Sequence, residues 1–336
     1  MPKIRLSFGP LHPIIRSMKN QNIRPKKIAI IGPRTTIGRC ILGQLAQNNL
    51  PVTCICPLDI HQDAGQSVYY GTHRLLTQPI DSFDFKKRHI IFVCDKKIVP
   101  LLAHKTKKSF HYWIDCTHSV KDALCIIPSI NGSVLNSACP KWICNPSSPV
   151  IALTHILCPI LKSFNTQTIS LTLLMGTVFE GQELSDSLFL QTRHFLTQTP
   201  LSKTHQTCNF AFNLIPDYFS DLAEIITHQM KCFISVPVTV RSCFVPVIRG
   251  SCIYVQLFFQ KNYDAQRILK KLNALPHVRI IYSKQNIGLC DIATEDQIFI
   301  IHPVVQQKIL SFWCLHDAIQ QGLGINAVQL AKMLMK

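Results

Sequence analysis

The stretch Lys27-Ile28-Ala29-Ile30-Ile31-Gly32 decides the fold of this 336-residue chain. Its apolar residues run without alternation, which is typical of a strand buried on both faces of a parallel sheet. A turn follows, and then a helical stretch from Gly38 to Asn48. Glycines at such a turn let the backbone approach a pyrophosphate and let the helix pack against the strand. The segment therefore predicts the first strand, turn and helix of a parallel α/β sheet.

Strands and helices alternate through the rest of the first half. Short apolar segments predict further strands at 52–56, 89–94, 112–116, 125–128 and 142–144, and a helix at about 99–107. This alternation is typical of a doubly wound, Rossmann-type α/β sheet.

The second half has longer strands and predicts an α+β domain whose helices cover one face of a sheet. Strands are predicted at 168–174, 236–240, 243–248, 252–259 and 278–282, and helices at 184–196, 264–275 and 309–335. We predict a basic N-terminal extension (1–26), a Rossmann-type domain (27–148, completed by the C-terminal helix 311–336) and an α+β domain (149–310).

Charge and cysteine content restrict the class of protein. Lys and Arg exceed Asp and Glu by 17, which indicates either a compositional bias or a surface for phosphates, nucleic acid or an anionic membrane. The lysines between 86 and 108 are not accompanied by a Gly-rich recognition motif, so nucleic-acid binding is not favoured. Most of the 15 cysteines lie in apolar strand-like runs, which predicts reduced thiols and a cytoplasmic protein. No apolar run reaches the ~20 residues of a membrane span, and no metal site is predicted.

The segment Asn145-Pro146-Ser147-Ser148-Pro149 lies between two apolar runs and predicts a strand, a turn and a helix. Such a turn places a nucleophile at a helix N-terminus, where backbone amides stabilise a developing anion. The alternative for Ser148 is a helix N-cap without a chemical role.

Six segments, in order, resemble the aspartate-semialdehyde dehydrogenase family. They are Ile30 to Arg39, Ser82-Phe83-Asp84-Phe85, Ile127 to Asn131, Ala211-Phe212-Asn213-Leu214-Ile215-Pro216, Val245 to Gly250, and Gly324 to Ala331. The resemblance implies a Rossmann-type domain, a second domain that forms a dimer interface, and a last helix that returns to the first domain.

The resemblance also places the family's functional residues, and most are replaced. Ser148 stands at the position of the nucleophilic cysteine, and Ser251 at that of the catalytic histidine. The substrate would lie at Asn145 and at Phe244, which occupies the position of an arginine that binds the substrate carboxylate. A serine needs a positioned base that the matching position does not supply, and a phenyl ring cannot bind a carboxylate.

The cofactor positions are altered as well. The resemblance assigns them to Gly32, Arg34, Thr35, Thr36, Ile37 and Gly38, with Thr35 in place of the middle glycine. The family's cation for the 2′-phosphate is missing near Asp63, although Arg34 offers a positive charge. NADP binding and its loss both stay open, and these replacements favour loss.

Three hypotheses follow from the sequence. The favoured one is a catalytically degenerate protein, similar to the Usg-like branch in which the active-site cysteine is also absent, with a structural or assembly role as a homodimer or paired with an active relative. The second is an active NADP-dependent enzyme that converts aspartyl phosphate to aspartate semialdehyde at a rearranged site. The third, least favoured, is a basic nucleic-acid-binding protein.

Overall fold

A computed structural model describes residues 27–84, 89–102, 112–137, 142–177, 181–198, 208–219, 221–282, 287–292, 297–317 and 323–335. The predicted N-terminal extension (1–26) lies outside the described residues, as do the lysines at 86, 87, 105, 107 and 108.

The first half forms a seven-stranded parallel sheet, as the apolar runs predict. Its elements are β1 (Ile28–Ile31), α1 (Thr36–Gln47), β2 (Ile55–Asp59), β5 (Gln78–Pro79), β6 (Ile90–Val93), β7 (Tyr112–Asp115), β8 (Leu124–Cys125), α2 (Pro128–Asn131), α3 (Val134–Ser137) and β9 (Trp142–Cys144), with a hairpin of β3 (Ser67–Tyr70) and β4 (His73–Leu76) beside it. The strand order is β5-β2-β1-β6-β7-β9-β8. This is the Rossmann-type sheet, and the carboxyl ends of its strands lie at one edge.

The second half forms a mixed seven-stranded sheet with helices on one face. Its elements are α4 (Ser148–Leu161), β10 (Thr166–Met175), α5 (Gln182–Thr197), β11 (Ile215–Pro216), α6 (Leu222–Met230), β12 (Val238–Phe244), β13 (Ser251–Phe259), α7 (Ala265–Asn273), β14 (Val278–Ile281), β15 (Ile298–Gln306) and β16 (Ile309–His316), followed by α8 (Ile325–Met335). The strand order is β11-β12-β10-β13-β16-β15-β14.

Several predicted boundaries are wrong. The stretch 309–335 is not one helix: β16 occupies its first part and the helix begins at Ile325. The second sheet therefore continues past residue 310, where we predicted its domain to end. Strand β15 was not predicted, and the two strands predicted at 236–240 and 243–248 are the single strand β12. Residues 52–54 and 96–102 form 3₁₀ helices, and residues 128–131 form a short α-helix.

Helix α4 connects the two halves. Eleven of its 14 residues are buried, among them Val150, Leu153 and Leu157, which contribute to the large core under the second sheet. A helix that is apolar all round is stable only when surrounded by protein. Helix α8 returns to the first sheet and packs against α1. Its residues Ala327 and Leu330 belong to the buried core on this side of the sheet.

The other face of the second sheet carries no helix among the described residues. Along β13, buried residues alternate with half-buried ones, and the half-buried set points away from the helices. The rings of Tyr254 and Trp313 pack against each other on this open face, with centroids 4.8 Å apart and planes tilted by 45°. Within the described residues, no helix has the length and apolar character to cross a bilayer.

Candidate active site

The turn after β9 lies inside the protein, and Asn145 holds it in place. Both N–H groups of its amide are engaged: Nδ2 donates to Leu323 O over 3.0 Å and to Cys116 Sγ over 3.8 Å. Its Oδ1 accepts from Asn326 Nδ2 over 2.7 Å. Asn145 is fully buried. The residue predicted to contact substrate therefore joins the turn to the beginning of α8.

The alternative interpretation of Ser148 as the N-cap of α4 does not match the structure. Ser147, not Ser148, occupies the N-cap position of α4 and makes no side-chain cap bond. Its hydroxyl donates to Gln229 Oε1 over 2.7 Å, and its backbone N–H donates to the same oxygen over 2.9 Å. The N-cap interpretation of Ser148 is wrong, because Ser148 is the first helical residue.

A histidine that the sequence reasoning missed lies beside Ser148. The Ser148 Oγ and His316 Nε2 are 2.8 Å apart. His316 is the last residue of β16, directly opposite Ser251 in the antiparallel register. Ser251 Oγ lies 3.1 Å from each ring nitrogen of His316. Strand β16, next to β13, thus supplies an imidazole beside Ser251, which stands where the resemblance places a histidine. We call Ser148, Ser251 and His316 the serine–histidine cluster.

Burial governs the electrostatics of the serine–histidine cluster. All three residues have 0% exposure. Removal from water disfavours the charged imidazolium and lowers the pKa of His316 to about 4, although the nearby Asp317 acts in the opposite direction. The imidazole is therefore neutral at pH 7 and has one acceptor nitrogen. A neutral imidazole can accept the Ser148 proton, but in this conformation no solvent reaches the hydroxyl.

Phe244 lies where the resemblance places a carboxylate-binding arginine, and it is fully buried in an aromatic cluster. Its ring centroid is 5.4 Å from that of Phe210, 5.8 Å from Tyr218 and 6.3 Å from Phe219. Such spacings are typical of packed aromatic side chains. None of these four rings carries a positive charge for a carboxylate, and Tyr218 alone among them has a hydroxyl that could donate a hydrogen bond.

An ion pair not predicted from the sequence lies next to the serine–histidine cluster. Arg249 Nη2 is 2.9 Å from Asp317 Oδ2, and the Asp317 side chain is only 1% exposed. Arg249 also borders an open groove of about 290 Å³ along α1. Thr36, one of the predicted cofactor residues, lines this groove together with Arg39 and Cys40. Because its guanidinium is paired with Asp317, Arg249 already has an anionic partner.

The turn from Gly32 to Gly38, which we call the glycine turn, has the close packing that the sequence predicts. A Cβ on Gly38 would lie 2.3 Å from Gly32 O, and Gly32 itself has φ +76°. Thr35 is the N-cap of α1: its hydroxyl accepts from Gly38 N–H over 3.0 Å. Ile37 packs against the core of the first sheet. Thr35 and Ile37 therefore have structural contacts of their own.

Arg34 is not free to bind a phosphate. Its Nη2 lies 2.7 Å from Asp63 Oδ1, and its Nε lies 3.5 Å from Asp59 Oδ2. Asp59 is buried at the carboxyl end of β2, and this burial, above all, raises the pKa of Asp59 while Arg34 acts against it. The positive charge at residue 34 is compensated by two carboxylates.

These residues do not fit NADP. In dinucleotide-binding folds a carboxylate after the second strand accepts the ribose hydroxyls, whereas a 2′-phosphate needs a cation there. Asp59 and Asp63 place negative charge at that point, and Arg34 is committed to them. Among the described residues, no group of three or more His, Cys, Asp or Glu side chains is arranged to hold a metal ion.

Relatives of this chain support the family resemblance along nearly its whole length. No family model matches the chain. It is 25% identical over 335 residues to the aspartate-semialdehyde dehydrogenase of Rickettsia bellii (strain RML369-C), covering 92% of this chain and 97% of the relative. It is 21% identical over 331 residues to a USG-1 protein homolog of Pseudomonas aeruginosa, covering 93% of this chain and 98% of the relative.

Solved structures support the fold. A probable aspartate-semialdehyde dehydrogenase from Pseudomonas aeruginosa superposes with a TM-score of 0.85 at 21% identity, covering 93% of this chain and 99% of that one. Aspartate semialdehyde dehydrogenase II from Vibrio cholerae superposes with a TM-score of 0.82 at 19% identity, covering 93% and 98%. The predicted resemblance and the predicted fold class are confirmed. The proposed proximity to the Usg-like branch stays a prediction.

Proposed function

We propose that this chain, similar along its length to aspartate-semialdehyde dehydrogenases, has kept their fold without their reaction and acts as a homodimeric structural or assembly protein. The observation that carries the proposal is the complete burial of Ser148, Ser251 and His316. A nucleophile at 0% exposure reaches no substrate unless the surrounding chain moves.

Two further features support the proposal. The resemblance assigns position 244 to an arginine that binds the substrate carboxylate, and the aromatic cluster around Phe244 offers an aspartyl group no ion pair there. The carboxylates of Asp59 and Asp63 outnumber the single positive charge of Arg34 where a 2′-phosphate would need a cation. Nucleophile environment, substrate recognition and cofactor recognition are therefore altered together.

An active enzyme is the second candidate, and one contact favours it. The 2.8 Å contact between Ser148 and the neutral His316 is the geometry of a nucleophile with its base. In that case Ser148 Oγ would attack the acyl carbon of aspartyl phosphate while His316 accepts its proton. The bond from that carbon to the phosphate oxygen would break, phosphate would leave, and Ser148 would carry the aspartyl group as an ester. The place of Phe244 opposes this candidate.

Activity assays separate the two candidates. Purified protein is mixed with aspartate semialdehyde, phosphate and NADP or NAD, and reduced nicotinamide is followed by absorbance. We expect no turnover for the wild type, and none for Ser148→Cys, because a thiol restores neither substrate recognition nor access. Turnover that Ser148→Ala and His316→Asn both abolish would contradict the proposal and establish the second candidate.

The dimer in this proposal uses the open face of the second sheet, where Tyr254 and Trp313 pack against each other. Sedimentation or light scattering of the wild type should give twice the monomer mass. Trp313→Glu should shift the protein to monomer, because a carboxylate is costly inside an apolar contact. Leu76→Glu is the control, since Leu76 is 57% exposed on β4, away from this face. A monomeric wild type would overturn the assembly role.

A further inference from the structure

Three cysteines lie together where the two sheets meet, outside the serine–histidine cluster. Cys125 on β8 and Cys144 on β9 are directly opposite each other in the parallel register. With Ala123 they form a small buried cluster, against which Phe233 of the second domain packs. The two thiols from the first sheet therefore point at the chain that follows α6.

The segment at the end of α6 brings a third thiol to this place. Gln229 Nε2 lies 3.7 Å from Cys144 Sγ. Cys232 follows three residues later, on the same side of the helical turn. Phe233, the next residue, packs on the buried cluster of Cys125 and Cys144, which places residue 232 beside it. The Cys232 and Cys125 thiols lie near enough for each to shift the pKa of the other. Cys125 is 2% exposed, whereas Cys232 is exposed to solvent.

We propose that Cys232 and Cys125 are a modification site at which a peroxide forms a disulfide between the two domains. The structure places one thiol within reach of solvent and a second, buried thiol in the cluster beside it, which is the arrangement of an attacked and a resolving cysteine. The described cysteines are all free thiols in this structure.

The reaction is balanced with hydrogen peroxide as the oxidant. The Cys232 sulfur attacks one peroxide oxygen, the O–O bond breaks, and Cys232 becomes a sulfenic acid with release of one water. The Cys125 sulfur then attacks the Cys232 sulfur, the S–O bond breaks, and the hydroxide leaves with the Cys125 proton as a second water. Two thiols are oxidised and one peroxide is reduced.

The protonation state of the thiols sets the rate of this step. The neighbouring Cys125 thiol, first, and burial, second, raise the pKa of Cys232 above that of an ordinary thiol. Because the thiolate is the nucleophile, the bond forms slowly near pH 7 and faster as the pH rises. The site therefore responds to strong or prolonged oxidation.

The bond would also restrict the turn that carries Ser148. Gln229, one helical turn before Cys232, accepts both hydrogen bonds from Ser147. A link between residues 125 and 232 fixes this part of α6 against β8. The opening that would admit a ligand to Ser148 is then opposed by a covalent bond.

The test oxidises the full-length protein and identifies the linked peptides. Wild type, Cys232→Ser and Cys290→Ser are treated with hydrogen peroxide at pH 7 and pH 8.5, alkylated and analysed by mass spectrometry. Cys290→Ser is the matched control, because Cys290 is exposed as well. We expect a peptide pair joined through residues 125 and 232 in wild type and in Cys290→Ser, formed faster at pH 8.5 and absent from Cys232→Ser.

Thermal unfolding gives an independent readout. Oxidised wild type should melt several degrees above reduced wild type, the difference should vanish after dithiothreitol, and Cys232→Ser should show no shift. Peroxide products in which Cys232 is over-oxidised or linked elsewhere while Cys125 stays a thiol would overturn the proposal. So would the absence of any 125–232 link at the higher pH.

Discussion

The glycine turn and the serine–histidine cluster depart from the family pattern in different ways. In the glycine turn, Gly38 remains at a position where a Cβ would lie 2.3 Å from Gly32 O, so backbone packing fixes the residue type. In the serine–histidine cluster no backbone contact requires a given side chain, and the residues bond to each other instead. Where backbone packing requires a particular residue type, the family's residue is kept. Where only ligand binding would require it, a different residue is present.

The largest expected effect tests whether the substrate position is a packed core. Phe244→Ala should lower the free energy of unfolding by about 3–5 kcal/mol, because it removes a fully buried ring. Urea denaturation measures this loss. Phe189→Ala is the control, since Phe189 is 57% exposed, and it should change stability by less than about 0.5 kcal/mol. If both variants lost an equally small free energy of unfolding, an open pocket would surround residue 244.

The next prediction concerns the backbone contact of the glycine turn. Gly38→Ala should cost about 3 kcal/mol, since its Cβ would overlap Gly32 O and the backbone of Pro33. Gly43→Ala, in the same helix with no atom within 4 Å of its Cβ, should stabilise the protein by about 1 kcal/mol. Urea denaturation of both variants separates steric overlap from helix propensity. A stabilised Gly38→Ala variant would contradict the steric argument.

The serine–histidine cluster predicts a dependence of stability on pH. The folded pKa of His316 is about 4, below the ordinary value of 6.5, so the unfolded chain binds more protons between these values. Its contribution is complete above pH 6.5 and is lost as the pH falls toward 4. Between pH 7 and pH 5 the loss is about 2 kcal/mol.

Denaturation curves at both pH values, for wild type and His316→Asn, check this prediction. The variant lacks the titrating group, so its stability should fall by about 2 kcal/mol less than that of the wild type. Identical pH dependence in the two proteins would mean that His316 is accessible to water.

The smallest effect concerns Arg34, which is 39% exposed. Arg34→Ala should lower stability by less than about 1 kcal/mol, because partly exposed ion pairs contribute little. Calorimetric titration should detect no gain in NADP binding, since Asp59 and Asp63 then repel a 2′-phosphate. NADP binding by the variant would show that the carboxylates do not face the cofactor.

The sequence predicted the first sheet well because its strands are buried on both faces and therefore read as continuous apolar runs. The prediction fails at 309–316, where a helix is predicted and the structure has strand β16. There Leu310, Phe312 and Cys314 are buried and alternate with more exposed residues, a period of two that identifies a strand. Attention to this alternation would have found β16.

The candidate site was predicted only in part. Ser148 and Ser251 were identified by resemblance, and the structure brings them together around one imidazole. His316 was missed because its place depends on the register of β13 against β16, strands separated by many residues. Arg249 and Asp317 were missed for the same reason, since local pattern carries no information on long-range pairing.

Helix α4 has a consequence for how the molecule denatures. Its first residue lies in the turn at the edge of the first sheet, and its remaining turns supply the core of the second. Ile130 of the first half packs on the core of the second, and Phe233 of the second half packs on a buried cluster of the first. Unfolding of either half therefore exposes apolar surface of the other. Calorimetry should therefore record one cooperative transition, with equal calorimetric and van't Hoff enthalpies, although the chain has the length of two domains.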